Sequence, residues 1–292
     1  MVDKLIGKTY KSLRLLKKIE AKAVASEQLS YSQLLKFEQG KTSLTIEKLM
    51  YALTQIGSTL GDFEYLYYEQ ADYLPLQIGG AIFRTYWERN SSKLQKLVNE
   101  LKDDLAKYPD DPRYFIYLVQ AESFLAQVDK DFKISDAGIL KIYDYLMGVS
   151  QWWMLECEIL MNCASIFSDH QLRELVHKMI NPGVQYRNPD ALQSHINAAL
   201  LSSIRVLIAN KHFEPLREIF DYLDAHILPD YNMYERAMFA YFKVLYRFRK
   251  NPSKESLLAV ESCIEAFKLL ECFGLANLAT EELERYKKES HI

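Results

Sequence analysis

Apolar positions recur every three or four residues along most of this chain, and no alternating apolar/polar run is long enough for a convincing strand. In the opening stretch Leu5, Tyr10, Leu13 and Leu16, with Ile6 beside them, predict a first helix over about 4–18. Ala21, Val24 and Ala25 form the stripe of a short second helix, whose small residues let another helix approach closely. Ser30 offers a hydroxyl that accepts from a free backbone N–H near position 33. A third helix then covers 31–38, with Leu34 and Phe37 turned inward, and Gly40 ends it in the left-handed conformation. Thr45 caps a fourth helix with an inward stripe of Ile46, Leu49, Met50 and Leu53, and a fifth starts near Asp62.

From Tyr65 onward the pattern predicts helix after helix, over about 65–88, 91–107, 111–127, 133–148, 151–167, 169–180, 189–209, 212–227, 230–249, 254–272 and 275–289. The breaks carry matching punctuation: Asn90-Ser91, Pro109-Asp110-Asp111-Pro112, Asn181-Pro182-Gly183, Asn188-Pro189, Pro229 and Asn251-Pro252-Ser253. Helix pairs start near 151, 189 and 230, a spacing of roughly 40 residues that belongs to helical-repeat solenoids. The strict tetratricopeptide consensus is absent, so the repeats are degenerate ones of that kind. The expected fold is all-α, with a five-helix head over 1–64 and a repeat body over 65–292.

Composition agrees with helix: only 10 Gly and 8 Pro punctuate 292 residues, and 49% are hydrophobic, enough for a sizeable core. No run approaches the roughly 18 uncharged apolar residues of a membrane span. The start MVDKLIGKTYK lacks the apolar segment of a signal peptide. Cys157, Cys163, Cys263 and Cys272 form no CxxC and no disulfide framework, which suits a reducing cytosol, and a cytoplasmic location is expected. Charge adds an asymmetry. The net charge is −3, yet residues 1–60 carry ten Lys/Arg against five Asp/Glu, so the head is +5 and the rest −8. A basic head on an acidic body fits a phosphate-seeking domain joined to something else.

Five short helices in this order resemble the helix-turn-helix domain of the phage Cro/C1 repressor class, whose second motif helix lies in the DNA major groove. The resemblance places Tyr31, Ser32 and Gln33 at the base edges, with Lys36 one turn on. Gln33 is suited to donate and accept against adenine, and Lys36 to reach guanine or a phosphate. Arg14, Lys8 and Lys41 lie where phosphate contacts would anchor the register. Glu38 occupies a slot where the class carries Glu, paired with a cation of the first helix, here Lys11.

The stretch IEAKAVASEQLSYSQLLKFEQG resembles more narrowly the head of the Rgg/GadR/MutR regulators of Gram-positive bacteria. Ile19, Val24, Ala25, Leu29, Ser30, Ser32, Gln33, Leu34, Lys36, Phe37, Glu38 and Gly40 match their pattern. The departures are Lys18 for a common Gly, Glu20 for a capping Ser, Leu35 for Ser, and Lys36 and Gln39 for Arg. Two planar guanidinium forks are thereby lost, so DNA binding carries over but the operator sequence does not. The resemblance also implies a cytoplasmic homodimer whose body binds a short hydrophobic pheromone peptide. Twofold symmetry would set two reading helices about one DNA turn apart, roughly 34 Å. The interface is expected in 254–289, through Leu257, Leu258, Val260, Ile264, Phe267, Leu275 and Leu278.

Stacked helix pairs curve and leave a concave face along which an extended peptide can lie. Its backbone calls for polar clamps, and an Asn amide offers both donor and acceptor. Asn162, Asn197 and Asn232 are each 35 residues apart and near the start of a pair-opening helix; capping or exposure would equally explain them. Arg205, on an apolar helix, meets either a peptide carboxylate or a salt bridge to a neighbouring helix. Trp153, in SQWWMLECEILM, and Tyr234, in YERAMFAYFKVLYRF, are aromatic candidates for the ligand, with core packing as the competing use.

Catalytic and cofactor signatures are absent: there is no HExxH, P-loop, GxSxG or GxGxxG, and His170 and His177 share a helical face without a third ligand. No enzyme activity, metal or cofactor is expected. Two functions fit: a transcription regulator controlled by a bound peptide, or a repeat scaffold that sequesters a protein partner.

Overall fold

The computed structural model describes residues 4–71, 74–181, 190–226 and 232–290. They form sixteen α-helices and one 3-10 turn, with no strand among the described residues. The breaks expected at Pro182-Gly183, Asn188-Pro189 and Pro229 lie outside them. The chain divides into two compact units, Met1–Gly80 and Ala81–Ile292. The expected boundary after residue 64 falls inside a helix.

The first unit holds α1 (Lys4–Leu16), α2 (Ala21–Val24), α3 (Tyr31–Glu38), α4 (Ile46–Gln55) and α5 (Leu60–Ala71). Tyr10, Leu13, Val24, Leu29, Leu34, Phe37, Leu49, Ala52, Leu53 and Phe63 form its core. The Tyr10 hydroxyl donates to the Ala52 carbonyl at 3.2 Å, and burial, with the Glu38 carboxylate nearby, raises its pKa. Gly7 is where α1 meets α3, since a Cβ there would lie 1.9 Å from the Phe37 carbonyl oxygen. Gly40 does take a positive φ, +67°. The fifth helix, expected near Asp62, starts at Leu60, and Thr59 caps it. The Thr59 backbone N–H donates to Asp62 Oδ2 at 2.8 Å while its Oγ1 accepts from the Asp62 N–H at 3.1 Å.

Three apolar residues expected inside the head, Leu16, Ile46 and Met50, are exposed. Each lies in the first or last turn of its helix or on the flank of the stripe, beyond the reach of the small core. The expected charges also trade places. Arg14, not Lys11, pairs with Glu38: Nε reaches Oε1 at 2.7 Å and Nη2 reaches Oε2 at 2.8 Å, a bidentate fork. Its Nη1 donates to the Ile19 carbonyl at 2.5 Å. Arg14 is 4% exposed, so it holds α1 to α3 from within and is withdrawn from the phosphate-contact role.

The second unit begins within α6 (Leu74–Trp87) and continues through α7 (Ser91–Lys107), α8 (Pro112–Val128), α9 (Asp136–Gly148) and α10 (Met154–Cys163). After the 3-10 turn Ala164–Ile166 come α11 (Asp169–Ile180), α12 (Asp190–Ala209), α13 (Leu216–His226), α14 (Met233–Lys250), α15 (Lys254–Leu269) and α16 (Phe273–Ser290). The helix expected over 65–88 falls on α5 and α6, with residues 72–73 outside the described ones. Side chains of Asn90, Asp111, Ser135, Ser168 and Ser253 accept first-turn backbone N–H groups of α7, α8, α9, α11 and α15.

Helices α8, α10, α12 and α14 stand side by side, with α9, α11 and α13 as a second row. A 40-residue period is written into their polar contacts. Ser123 Oγ donates to the Asn162 carbonyl at 2.8 Å, and Ser202 Oγ to the Met161 carbonyl at 2.7 Å. Arg249 donates to the Ala209 carbonyl at 3.1 Å and to Glu289 at 2.8 Å, and the Tyr241 hydroxyl donates to Glu282 at 3.0 Å. Such bonds satisfy buried polar groups and set the register of neighbouring helices. Apolar contacts fill the rest in one continuous core. No helix among the described residues is long and apolar enough to cross a membrane.

Candidate functional sites on the head and the repeat body

On the head, Ser30 caps α3 by accepting from the Gln33 N–H at 3.2 Å. The first turn then turns outward. Tyr31 is 47% exposed, and Ser32, Lys36, Lys8 and Lys41 are exposed. Gln33 is half-buried, and its Oε1 accepts from Lys48 Nζ of α4 at 3.0 Å. Lys48 escaped sequence reasoning because it lies fifteen residues from Gln33 on another helix. The outward face of α3 therefore offers a phenol, a hydroxyl, an amide and an ammonium group. This set can donate and accept but holds no carboxylate, since Glu38 is turned inward against Arg14.

On the body, α6, α8, α10, α12, α14 and α16 surround a cavity of about 310 Å³. Trp87, Phe124, Met161, Leu201, Met238 and Phe242 supply apolar surface, while Gln127, Asn162, Ser165 and Ser202 supply polar groups. Arg205 is the one charged residue of the lining. Its Nε stands 3.7 Å from Glu282 Oε1, too far to hydrogen-bond, and its guanidinium lies 5.5 Å from the centre of the Phe242 ring. Burial works against the Arg205 charge, but Glu282 and nearby tyrosines outweigh it and raise the pKa. The Tyr241 hydroxyl, pushed up by burial and by Glu282, stays protonated and holds that carboxylate in place. The Arg205 charge is therefore balanced within the protein, and the cavity as a whole is close to neutral.

Three of the six expected ligand residues line this cavity: Asn162, Arg205 and Tyr234. Asn162 Nδ2 donates to Gln120 Oε1 at 2.6 Å, which sets the orientation of its amide. The other three lie elsewhere. Asn197 is 1% exposed and locked between Gln193 and Glu235, accepting at 2.8 Å and donating at 3.1 Å. Asn232 is the N-cap residue of α14, and its side chain makes no capping bond. Trp153 is the N-cap residue of α10, its backbone N–H donating to Glu156 Oε2 at 2.8 Å, and is 58% exposed; the buried tryptophan is Trp152, whose Nε1 donates to the Leu146 carbonyl at 2.9 Å.

The reason is register. Asn162, Ser202 and Phe242 line the cavity at steps of 40 residues, whereas the three Asn step by 35. Five residues on a helix amount to about 140° of rotation, so a 35-residue step walks off the face. A search at the 40-residue period would have found Ser202 and Phe242.

Burial pushes the Cys157 thiol up to about 12 and raises that of Cys163 as well. His170 faces Glu174 at 3.1 Å, and His177 faces Glu218 at 3.3 Å, each in an exposed pair.

The family of HTH-type transcriptional regulator Rgg, through its C-terminal domain, matches residues 95–281, more than half of the chain. Solved structures share the fold. The Streptococcus dysgalactiae SHP pheromone receptor Rgg2 is 21% identical, with a TM-score of 0.74 over 97% of this chain and 99% of its own. A putative transcriptional regulator from Listeria monocytogenes EGD-e is 16% identical, with a TM-score of 0.73 over 99% of both chains. The PrgX/iCF10 complex is 15% identical, with a TM-score of 0.72 over 99% of this chain and 98% of that one. With the match running through the repeat body that holds the cavity, the chain belongs to the Rgg family of HTH-type transcriptional regulators.

Proposed function

We propose that this regulator reads double-stranded DNA with the outward face of α3 and is controlled by a short apolar peptide held in the cavity of the repeat body. One observation carries the reading: a nearly neutral, mostly apolar cavity of about 310 Å³, lined mostly by the part of the chain that the Rgg match covers. Its volume is at the lower end of the roughly 300–1,000 Å³ of ligand pockets. It suits a few large side chains of a peptide, with Asn162 and Arg205 offering hydrogen bonds to the peptide backbone. Because Glu282 already balances Arg205, the ligand needs no carboxylate of its own. The fold neighbours support the same reading: Rgg2 is an SHP pheromone receptor and PrgX forms a complex with iCF10.

In this reading the protein works in the cytoplasm as a homodimer. Leu258 and Leu269 of α15, Leu270 just after it and Phe273 of α16 form the exposed apolar surface for the partner. Val260, Ile264 and Phe267, expected at that interface, instead belong to the core of the protomer. A peptide changes regulation only if it binds two arrangements of the dimer with different affinity.

The DNA half is tested by fluorescence anisotropy with the regulator's own promoter DNA. Binding is expected to weaken steeply as salt rises. The double change Gln33→Ala and Lys36→Ala is expected to abolish sequence-specific binding with the helical circular dichroism unchanged. Specific binding that survives it would remove α3 from the reading role.

A further inference from the structure

Position 33 carries more information than its residue type. Ser30-x-x-Gln33 has the form of a capping box, in which the Gln side chain bends back to the N-cap backbone. Only half of that box is made. Ser30 Oγ accepts the Gln33 N–H at 3.2 Å, but the Gln33 carbonyl oxygen is engaged by Lys48 Nζ at 3.0 Å. Lys48 in turn breaks two local rules. It is the third residue after the cap Thr45, where Glu or Gln would complete a box. It also sets a cation in the first turn of α4, against the helix dipole. A residue that violates local preferences while holding another in place is a mark of function.

An ammonium group donates and never accepts. The Gln33 amide therefore has one orientation, with oxygen toward Lys48 and the NH₂ group directed away from it. We propose that Lys48 is a positioning residue that makes Gln33 a hydrogen-bond donor in the major groove and so sets its base preference to guanine. The proposal rests on the DNA-reading role of α3. Guanine presents two neighbouring acceptors, O6 and N7, to such a donor. Adenine presents N7 beside a donor, N6–H₂, that needs the oxygen Lys48 holds; thymine presents a single acceptor, O4, beside its methyl group, and cytosine only a donor. The sequence-based expectation of adenine took the amide as free to turn.

The test is selection of bound sites from a randomised double-stranded DNA library by the full-length protein and by Lys48→Met, Lys48→Glu and Lys48→Arg. Wild type is expected to prefer guanine over adenine at one base pair of each half-site by at least about fivefold, the lower end of what a bidentate contact discriminates. Gln33→Ala identifies that base pair by erasing its preference. Lys48→Arg, still donor-only, is expected to keep guanine. Lys48→Met is expected to bring the two bases within about twofold of each other. Lys48→Glu is expected to reverse the preference to adenine, because a carboxylate accepts the NH₂ and turns the oxygen outward. A Lys48 that merely touched phosphate would lower affinity for all sequences alike and reduce the salt dependence. Unchanged base preference in both Lys48→Met and Lys48→Glu overturns the proposal. Wild type that selects no sequence overturns the DNA-reading role itself, and this proposal with it.

Discussion

Arg14 shows what a single residue does when its surroundings are counted. From the sequence it is one of ten cations in the first sixty residues, and nothing in its spacing separates it from Lys8 or Lys11. In the fold it is the partner of a buried carboxylate, with both side chains at 5% exposure or less. Breaking such a pair leaves an uncompensated buried charge, which costs about 3–5 kcal/mol. Arg14→Met is therefore expected to destabilise the head by that amount, while Lys11→Ala, an exposed change, stays within about 0.5 kcal/mol. Hydrogen exchange of the α1 and α3 amides checks both; equal protection in the two variants would deny Arg14 its structural role. Which cation of α1 meets Glu38 was not legible, because the choice depends on the rotation of α1 against α3, a packing variable. The caps at Ser30 and Thr45 were legible, since capping is decided within four residues of chain.

Among elements, helix starts and stops were read closely from punctuation: α3, α7, α8 and α11 begin and end within a residue or so of expectation. What periodicity does not carry is the phase of one repeat against the next. The three Asn at 35-residue steps looked like a ladder, yet only Asn162 faces the cavity, because the helices repeat at about 40. The exposed Ile46 and Met50 are a second case, where the apolar stripe of α4 is wider than the core it meets. Close approach between elements is equally silent in sequence. At Gly7, Ala would raise helix propensity by about 1 kcal/mol. Its Cβ would also sit 1.9 Å from the Phe37 carbonyl oxygen, an overlap with backbone that only a shift of α1 relieves. Overpacking of this kind costs about 1–3 kcal/mol, so the contact wins. Gly7→Ala is expected to lower the thermal midpoint of the head; an unchanged or raised midpoint would show that α1 yields freely.

For the molecule as a whole, the contrast between the two ends of the chain was legible as charge, +5 in the first sixty residues against −8 in the remainder. The cavity was not. Its lining comes from six helices spread over residues 86–275, and no local pattern brings Tyr86 beside Leu275. The claim that ties the two units into one function is that a ligand in this cavity alters DNA occupancy. The most direct test is anisotropy of labelled promoter DNA with the full-length protein, titrated with a panel of short synthetic peptides rich in Leu, Ile, Val and Phe. It is run beside Ala198→Phe, which adds bulk to a residue of the lining. The expected result is that at least one peptide shifts DNA binding by wild type, and that Ala198→Phe binds DNA as wild type does without peptide but no longer responds. A response of equal size in Ala198→Phe, with the variant folded by circular dichroism, would place the peptide elsewhere and contradict the reading.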